Sequence, residues 1–204
     1  EKFDWSEASK DGSLQALQNF LNGYPDGAFA SEAKSIMNGL KLVVPYLTSN
    51  QKYKLYDASN GTFVSASLYD NIEFLDNELF IVTNFGKKGI VNKFGENITL
   101  STYDCFMSAG SKHIIFQLGS KFGLMDRKGE IVVQPIYDAL NSQSDNLLIS
   151  SIKRGKIVKM GLIDLNGRVL VENKLDPLYG IIPVIISPFT VIFPSNSKVI
   201  CSPS

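Results

Sequence analysis

The chain predicts a mainly β protein: tandem three-stranded β-repeats, propeller-like or a β-solenoid, behind a small N-terminal α-helical segment. Three observations carry this. Glycines at 61, 95, 129 and 167 stand 34, 34 and 38 residues apart. Eight residues after each come Tyr69, Tyr103, Tyr137 and Leu175, and an aspartate follows every time: Asp70, Asp104, Asp138 and Asp176. Residues 4–40 differ, with apolar positions at helical spacing. Agreement at fixed offsets over this length marks an internal repeat.

In the head, Asp4 is placed to cap a helix carrying Trp5 and Ala8, with Glu7 in capping-box position and Asp11-Gly12 as its end. Ser13 caps a second helix bearing Leu14, Leu17, Phe20 and Leu21. Tyr24-Pro25-Asp26-Gly27 reads as a turn. A third helix places Ala30, Ala33, Ile36, Met37 and Leu40 on one face. Trp5 is expected to anchor a core rather than stack on a ligand. The string W-x-x-A…A-L-x-x-F-L-x-x-Y-P-D-G…A resembles the helical hairpins of tetratricopeptide-type bacterial envelope proteins. One such unit is too small to bury its own face, so it should dock on the β part or on a neighbour. The helical segment is assigned residues 1–41.

Residues 42–204 form the β-repeat domain, in units of about 52–85, 86–119, 120–157 and 158–178, with capping strands over 179–204. Each unit contains a hairpin. In Asn92–Gly95, Asp126–Gly129 and Asp164–Gly167, the first side chain accepts from the backbone two residues on, and the fourth-position glycine takes positive φ. Asp57–Gly61 carries one extra residue. The third position after each turn is apolar (Val64, Ile98, Val132, Leu170), and this column should face the interior. Leu79–Val82, Ile114–Phe116 and Leu147–Ile149 each supply a further strand. Leu42–Leu47 and the run from Ile181 to Phe193 flank the units and should cap exposed edges. The latter, broken by Pro183 and Pro188, is too short to span a membrane.

Phe122-Gly-Leu-Met-Asp-Arg-Lys-Gly-Glu-Ile-Val-Val-Gln-Pro-Ile-Tyr-Asp138 is the fullest copy of the unit. With Met160-Gly-Leu-Ile-Asp-Leu-Asn-Gly and Lys88-Gly-Ile-Val-Asn-Lys-Phe-Gly, it resembles the WG-repeat family, whose units read W-G-x-I-D-x-x-G-x-x-V-I-x-P-x-Y-D. Gly89, Gly123 and Gly161 match the motif's first glycine. Tyr53, Lys88, Phe122 and Met160 stand at its tryptophan position, so no ring-dependent binding role carries over. The resemblance implies a bacterial, β-rich repeat array of largely undefined function, and it implies no activity.

Lys plus Arg equals Asp plus Glu, 20 against 20, so no net field favours nucleic acid or an anionic membrane. Cys105 and Cys201 have no metal-type or CxxC spacing, and a disulfide between them stays open. The chain starts at Glu1 without Met, implying a removed leader or a longer parent protein. The aspartates at 70, 104, 138 and 176 read as bend caps rather than a carboxylate ring, because catalytic residues rarely recur in every unit. Asp57, Asn92, Asp126 and Asp164 read as turn residues rather than calcium ligands, since the distal bidentate Glu of an EF-hand is missing. His113 is the lone histidine, and no local motif gives it a nucleophile and an orienting acid. The glycines over 86–95 match no phosphate loop. Lys87-Lys88 and Lys153-Arg154-Gly155-Lys156 with Lys159 are the basic clusters, and the second coincides with the four-residue insertion of the 38-residue unit.

No catalytic, cofactor or metal residue is assigned, and no cofactor is expected. The expected function is a non-enzymatic protein-interaction or scaffolding module, with another protein as partner and a bacterial envelope, periplasmic or secreted setting; the cytoplasm is the alternative. A carbohydrate- or small-molecule-binding β-domain using Tyr53, Tyr56 and Phe106 is the second reading. A hydrolase is the third.

Overall fold

A computed structural model describes residues 1–144 and 146–177. Three helices precede four small antiparallel sheets. The chain divides into two compact units, one from Glu1 to Leu68 and one from Tyr69 onward.

In the first unit, α1 spans Lys2–Asp11, α2 Leu14–Gly23 and α3 Ala30–Leu40. Helix α1 starts before Asp4, with Glu1 at its N-cap and no side-chain capping bond. The expected capping box is not formed because the Asp4 carboxylate accepts the Tyr24 hydroxyl at 2.5 Å, tying α1 to the end of α2. Gly12 ends α1 at φ +66°, and Ser13 Oγ caps α2 by accepting the Ala16 N–H at 3.2 Å. The Trp5 ring stacks on Phe29 at 5.5 Å and tilts against Phe20 at 5.2 Å. Around these rings Ala8, Leu17, Leu21, Ala30 and Ala33 form a core. The helices therefore bury a face of their own, against expectation, because large aromatic rings fill the space that a neighbouring unit would otherwise fill. Ile36 and Leu40, expected on the buried face of α3, are exposed.

The first sheet has order β1-β2-β3, with β1 at Val43–Leu47, β2 at Tyr53–Asp57 and β3 at Thr62–Phe63. Register runs from Leu47↔Tyr53 to Val43↔Asp57. Leu42–Leu47 thus supplies a strand of the first repeat sheet instead of capping the array from outside. Buried Asp57 accepts the Ser59 N–H at 3.0 Å and faces Lys41 at 3.7 Å. Ser59 Oγ donates to Leu40 O and accepts the Leu42 N–H, joining the helical segment to the hairpin.

In the second unit, β4 (Asn71–Phe74), β5 (Leu79–Asn84), β6 (Lys87–Asn92) and β7 (Asn97–Tyr103) make the second sheet. The third comprises β8 (Cys105–Ala109), β9 (His113–Leu118), β10 (Lys121–Asp126) and β11 (Ile131–Tyr137). The fourth comprises β12 (Ala139–Ser144), β13 (Leu147–Arg154), β14 (Ile157–Asp164) and β15 (Val169–Leu175). Each of these sheets adds a fourth strand to the three expected, built from residues just past the Tyr-Asp pair. Ile81 and Ile90 pack against Phe106, Ile114, Phe116 and Met125 between the second and third sheets. Ile115, Leu124 and Val133 pack against Leu140, Leu148 and Ile163 between the third and fourth. Burial on both faces explains why β9 reads as an unbroken apolar run rather than an alternating one.

The repeated glycine of the W-G position has a physical reason. Between the pairs Phe122↔Tyr137 and Leu124↔Val133, Gly123 alone lies opposite a bulge of β11 that contains Pro135. A Cβ at Gly123 would lie 2.6 Å from Val133 O, and one at Gly161 would lie 2.5 Å from Val171 O. Only hydrogen fits beneath the bulge.

The Val64, Ile98, Val132, Leu170 column departs from expectation. Val64, Ile98 and Val132 are half-buried, and Leu170 is exposed. Within the second unit, cover comes from the turn of the following sheet: Gly129 sits on Ile98, and Gly167 sits on Val132. Among the described residues no further turn follows to cover Leu170. The capping strands over 179–204, including the run from Ile181 to Phe193, lie outside the described residues, as does Cys201; Cys105 is buried at the start of β8.

Candidate functional site

The recurring carboxylates hold the array together. At each turn the first carbonyl accepts the glycine N–H three residues on, from Gly95, Gly129 and Gly167. Asp126 Oδ1 also accepts from Lys128 N at 2.8 Å and Glu130 N at 2.9 Å. Asp164 does the same for Asn166 and Arg168, and Asn92 for Phe94 and Glu96. The bond from two residues on is the turn chemistry expected of these positions, and the bond from four residues on is an addition that the structure brings.

The aspartates after the Tyr/Leu column reach further than the bend expected of them. Asp104 Oδ2 accepts the Gly119 N–H in the next sheet, while Oδ1 pairs with Lys87 in the sheet before. Asp138 accepts the Lys153 N–H at 2.7 Å and pairs with Lys121 at 2.8 Å. Asp70 accepts the Phe85 N–H at 2.7 Å, and Asp176 pairs with Lys159 at 2.5 Å. Lys87 and Lys121 hold the Asp104 and Asp138 carboxyls below the usual carboxylate range, helped by the backbone N–H bonds. Sequence reasoning missed this lysine column, although Lys87, Lys121 and Lys159 recur in the same frame as the glycines. It also missed a bidentate pair across sheets, in which Arg127 donates to both Asp76 oxygens at 2.6 and 3.0 Å. Burial pushes the Asp76 carboxyl up, but Arg127 and the Glu78 and Leu79 N–H groups outweigh it and the pKa falls.

Two other sequence candidates separate. His113 heads β9 opposite Asp126, whose Oδ1 is already engaged by the turn. Phe106 is fully buried in the third sheet, inside the second unit, whereas Tyr53 and Tyr56 belong to the first. Tyr56 instead meets Tyr46 and Phe63 at ring distances of 5.4–5.5 Å, with Lys54 Nζ 5.0 Å above the Phe63 ring. Tyr46 and Phe63 are both exposed. Alternation along β1 and β2 places Tyr46, Lys54 and Tyr56 on one face, opposite buried Leu55.

Two features of the second unit are built outward. Phe85 and Gly86 turn β5 into β6 with φ of +50° and +75°, both positive as a two-residue type I′ hairpin requires. Phe85 is 97% exposed. The equivalent turn of the third sheet begins with Gly119 at φ +62°. The second feature is the β13–β14 hairpin, whose strands have eight residues each where β9 and β10 have six. Beside it lies a groove of about 500 Å³ lined by residues including Ile152, Arg154, Ile157, Lys159, Val169 and Asn173.

Stacked meanders joined by recurring turn and aspartate bonds define a tandem β-repeat protein. Residues 122–149 match the family model described as WG containing repeat, the same stretch that carries the fullest copy of the unit. A comparison with curated proteins finds no match. Among solved structures the chain is similar to the crystal structure of TolB from Acinetobacter baumannii, at 14% identity and a TM-score of 0.33. That likeness covers 65% of this chain and 40% of the other, so this chain spans less than half of that protein's length.

Proposed function

We propose that this chain is a non-enzymatic protein-interaction or scaffolding module working in a bacterial envelope or secreted setting. Phe85 carries the reading. A bulky side chain at positive φ costs on the order of 1 kcal/mol where glycine costs nothing, and this one is almost fully exposed. A strained, solvated aromatic on a hairpin tip contributes nothing to its own fold, whereas buried in a partner's pocket it is a typical anchor. The recurring aspartates add support, since their oxygens are engaged in holding the array. The setting rests on the resemblance of the helical head and of the repeats. The test replaces Phe85 with a photo-crosslinking phenylalanine in the full chain, within producing cells. A discrete protein adduct, missing when the crosslinker sits at exposed Lys10, is the expected result. Equal adducts from both positions, or none, overturn the reading.

The aromatic cluster of exposed Tyr46 and Phe63 with half-buried Tyr56 favours a second reading, a carbohydrate-binding face. It requires that envelope glycans bind the full chain and that Tyr46→Ala abolish this binding.

A further inference from the structure

We propose that the lengthened β13–β14 hairpin and the groove beside it dock an acidic protein segment carrying aliphatic side chains. This rests on the reading of the chain as an interaction module, and it adds a separate site with a stated partner chemistry.

The four inserted residues are all spent at this tip, lengthening both strands. What they carry is patterned. In register, Arg154 faces Ile157 and Ile152 faces Lys159, so isoleucines and cations alternate on one face. Ile157 and Val169 are half or more exposed, and they lie along the groove with Asn173. The tips of the two preceding sheets, Phe85-Gly86 and Gly119-Ser120, carry no charge. Apolar contacts of this kind supply affinity, and the surrounding cations select and orient a partner of opposite sign.

Glu172, the acid in the groove's lining, and Asp176, which reaches the lining through Lys159, are already matched. Glu172 pairs with Lys174 and Asp176 with Lys159, each at 2.5 Å. Arg154 and Lys156 are in no ion pair among the described residues, which leaves the tip with surplus positive charge. Residues 178–204 contain no Asp or Glu, so their side chains offer these cations no carboxylate. A partner bringing carboxylates beside aliphatic side chains complements both halves of the surface.

The experiment selects a random dodecapeptide library against the full chain at low salt, then measures the enriched peptides by fluorescence anisotropy. Peptides rich in Asp or Glu with interspersed Leu, Ile or Val are expected. Their affinity should fall about tenfold or more in R154E/K156E, hold in R154K/K156R, and weaken with added salt. Enrichment of neutral or basic peptides, or acidic peptides indifferent to charge reversal, overturns the proposal. So does a photo-crosslinker at Ile157 that links the groove to residues 178–204 of the same chain. A partner trapped at Phe85 alongside a failed selection leaves the module reading standing and removes this site; failure of both removes both.

Discussion

Gly123→Ala adds one methyl group in a place that cannot receive it. The new Cβ would lie 2.5 Å from Phe116 Cζ and 2.6 Å from Val133 O. Phe116 is fully buried and the carbonyl belongs to the bulged strand, so neither can simply rotate away. Overpacking of this kind costs about 1–3 kcal/mol. Against it stands about 0.4–1 kcal/mol gained by restricting the unfolded chain. The net expectation is a loss of roughly 1–2 kcal/mol, a fall in melting temperature of about 3–8 °C for a domain of this size. Gly39→Ala makes the same chemical change in α3, where the added Cβ meets nothing within 4 Å, and should gain up to about 1 kcal/mol. Urea denaturation separates the two, with far-UV circular dichroism following the sheets and the single tryptophan, Trp5, following the helices. Opposite signs are expected. A neutral or stabilised Gly123→Ala would refute the account of the repeated glycine.

Phe85→Gly relieves backbone strain and should raise stability by about 1 kcal/mol in thermal melts; an unstable variant argues that the ring packs on its own chain. Asp138→Asn loses the Lys121 pair and weakens the bond to Lys153 N–H, for about 1 kcal/mol by thermal melting, allowing for partial exposure. The carboxyls of Asp76, Asp104 and Asp138 have lower pKa values folded than unfolded. Their stabilisation is therefore complete above the unfolded value near 3.9 and drains as pH falls through the folded values, so melts should lose stability below about pH 4, less steeply in Asp138→Asn. Val132→Ala should cost about 1 kcal/mol and Leu170→Ala close to none, because only Val132 lies under a following turn.

Turns, strand positions and the repeat itself were legible because local chemistry dictates them: Asp126 and Gly129 meet the needs of one tight turn without help from distant residues. The apolar run of β9 likewise announced burial. The fourth strand left only a faint signal: Ile72, Phe106 and Leu140 recur 34 residues apart and are buried, while the rest of 71–74, 105–109 and 139–144 shares no pattern, so these segments are strands chiefly by virtue of the sheet edges they meet. The depth of the Ile98 column depends on which turn lies above it, information held 31 residues away at Gly129. The Arg127–Asp76 pair joins residues 51 apart. Phe85 carries no local signal except that its counterpart is glycine.

The aspartate bonds also say where this chain can vary in length. From Lys87 to Asp104 is 17 residues, and from Asp104 to the Gly119 N–H is 15. The next set repeats 17 and 15 through Lys121, Asp138 and Lys153, and Lys159 to Asp176 is again 17. The longer unit takes up all its extra residues between Lys153 and Lys159 and leaves every bonded interval untouched. Hairpin tips are thus the one elastic position in an otherwise fixed metre. A foreign peptide grafted between Arg154 and Lys156 should be carried without disturbing the sheets below, while a single residue inserted between Lys121 and Asp138 should break the rhythm on both sides.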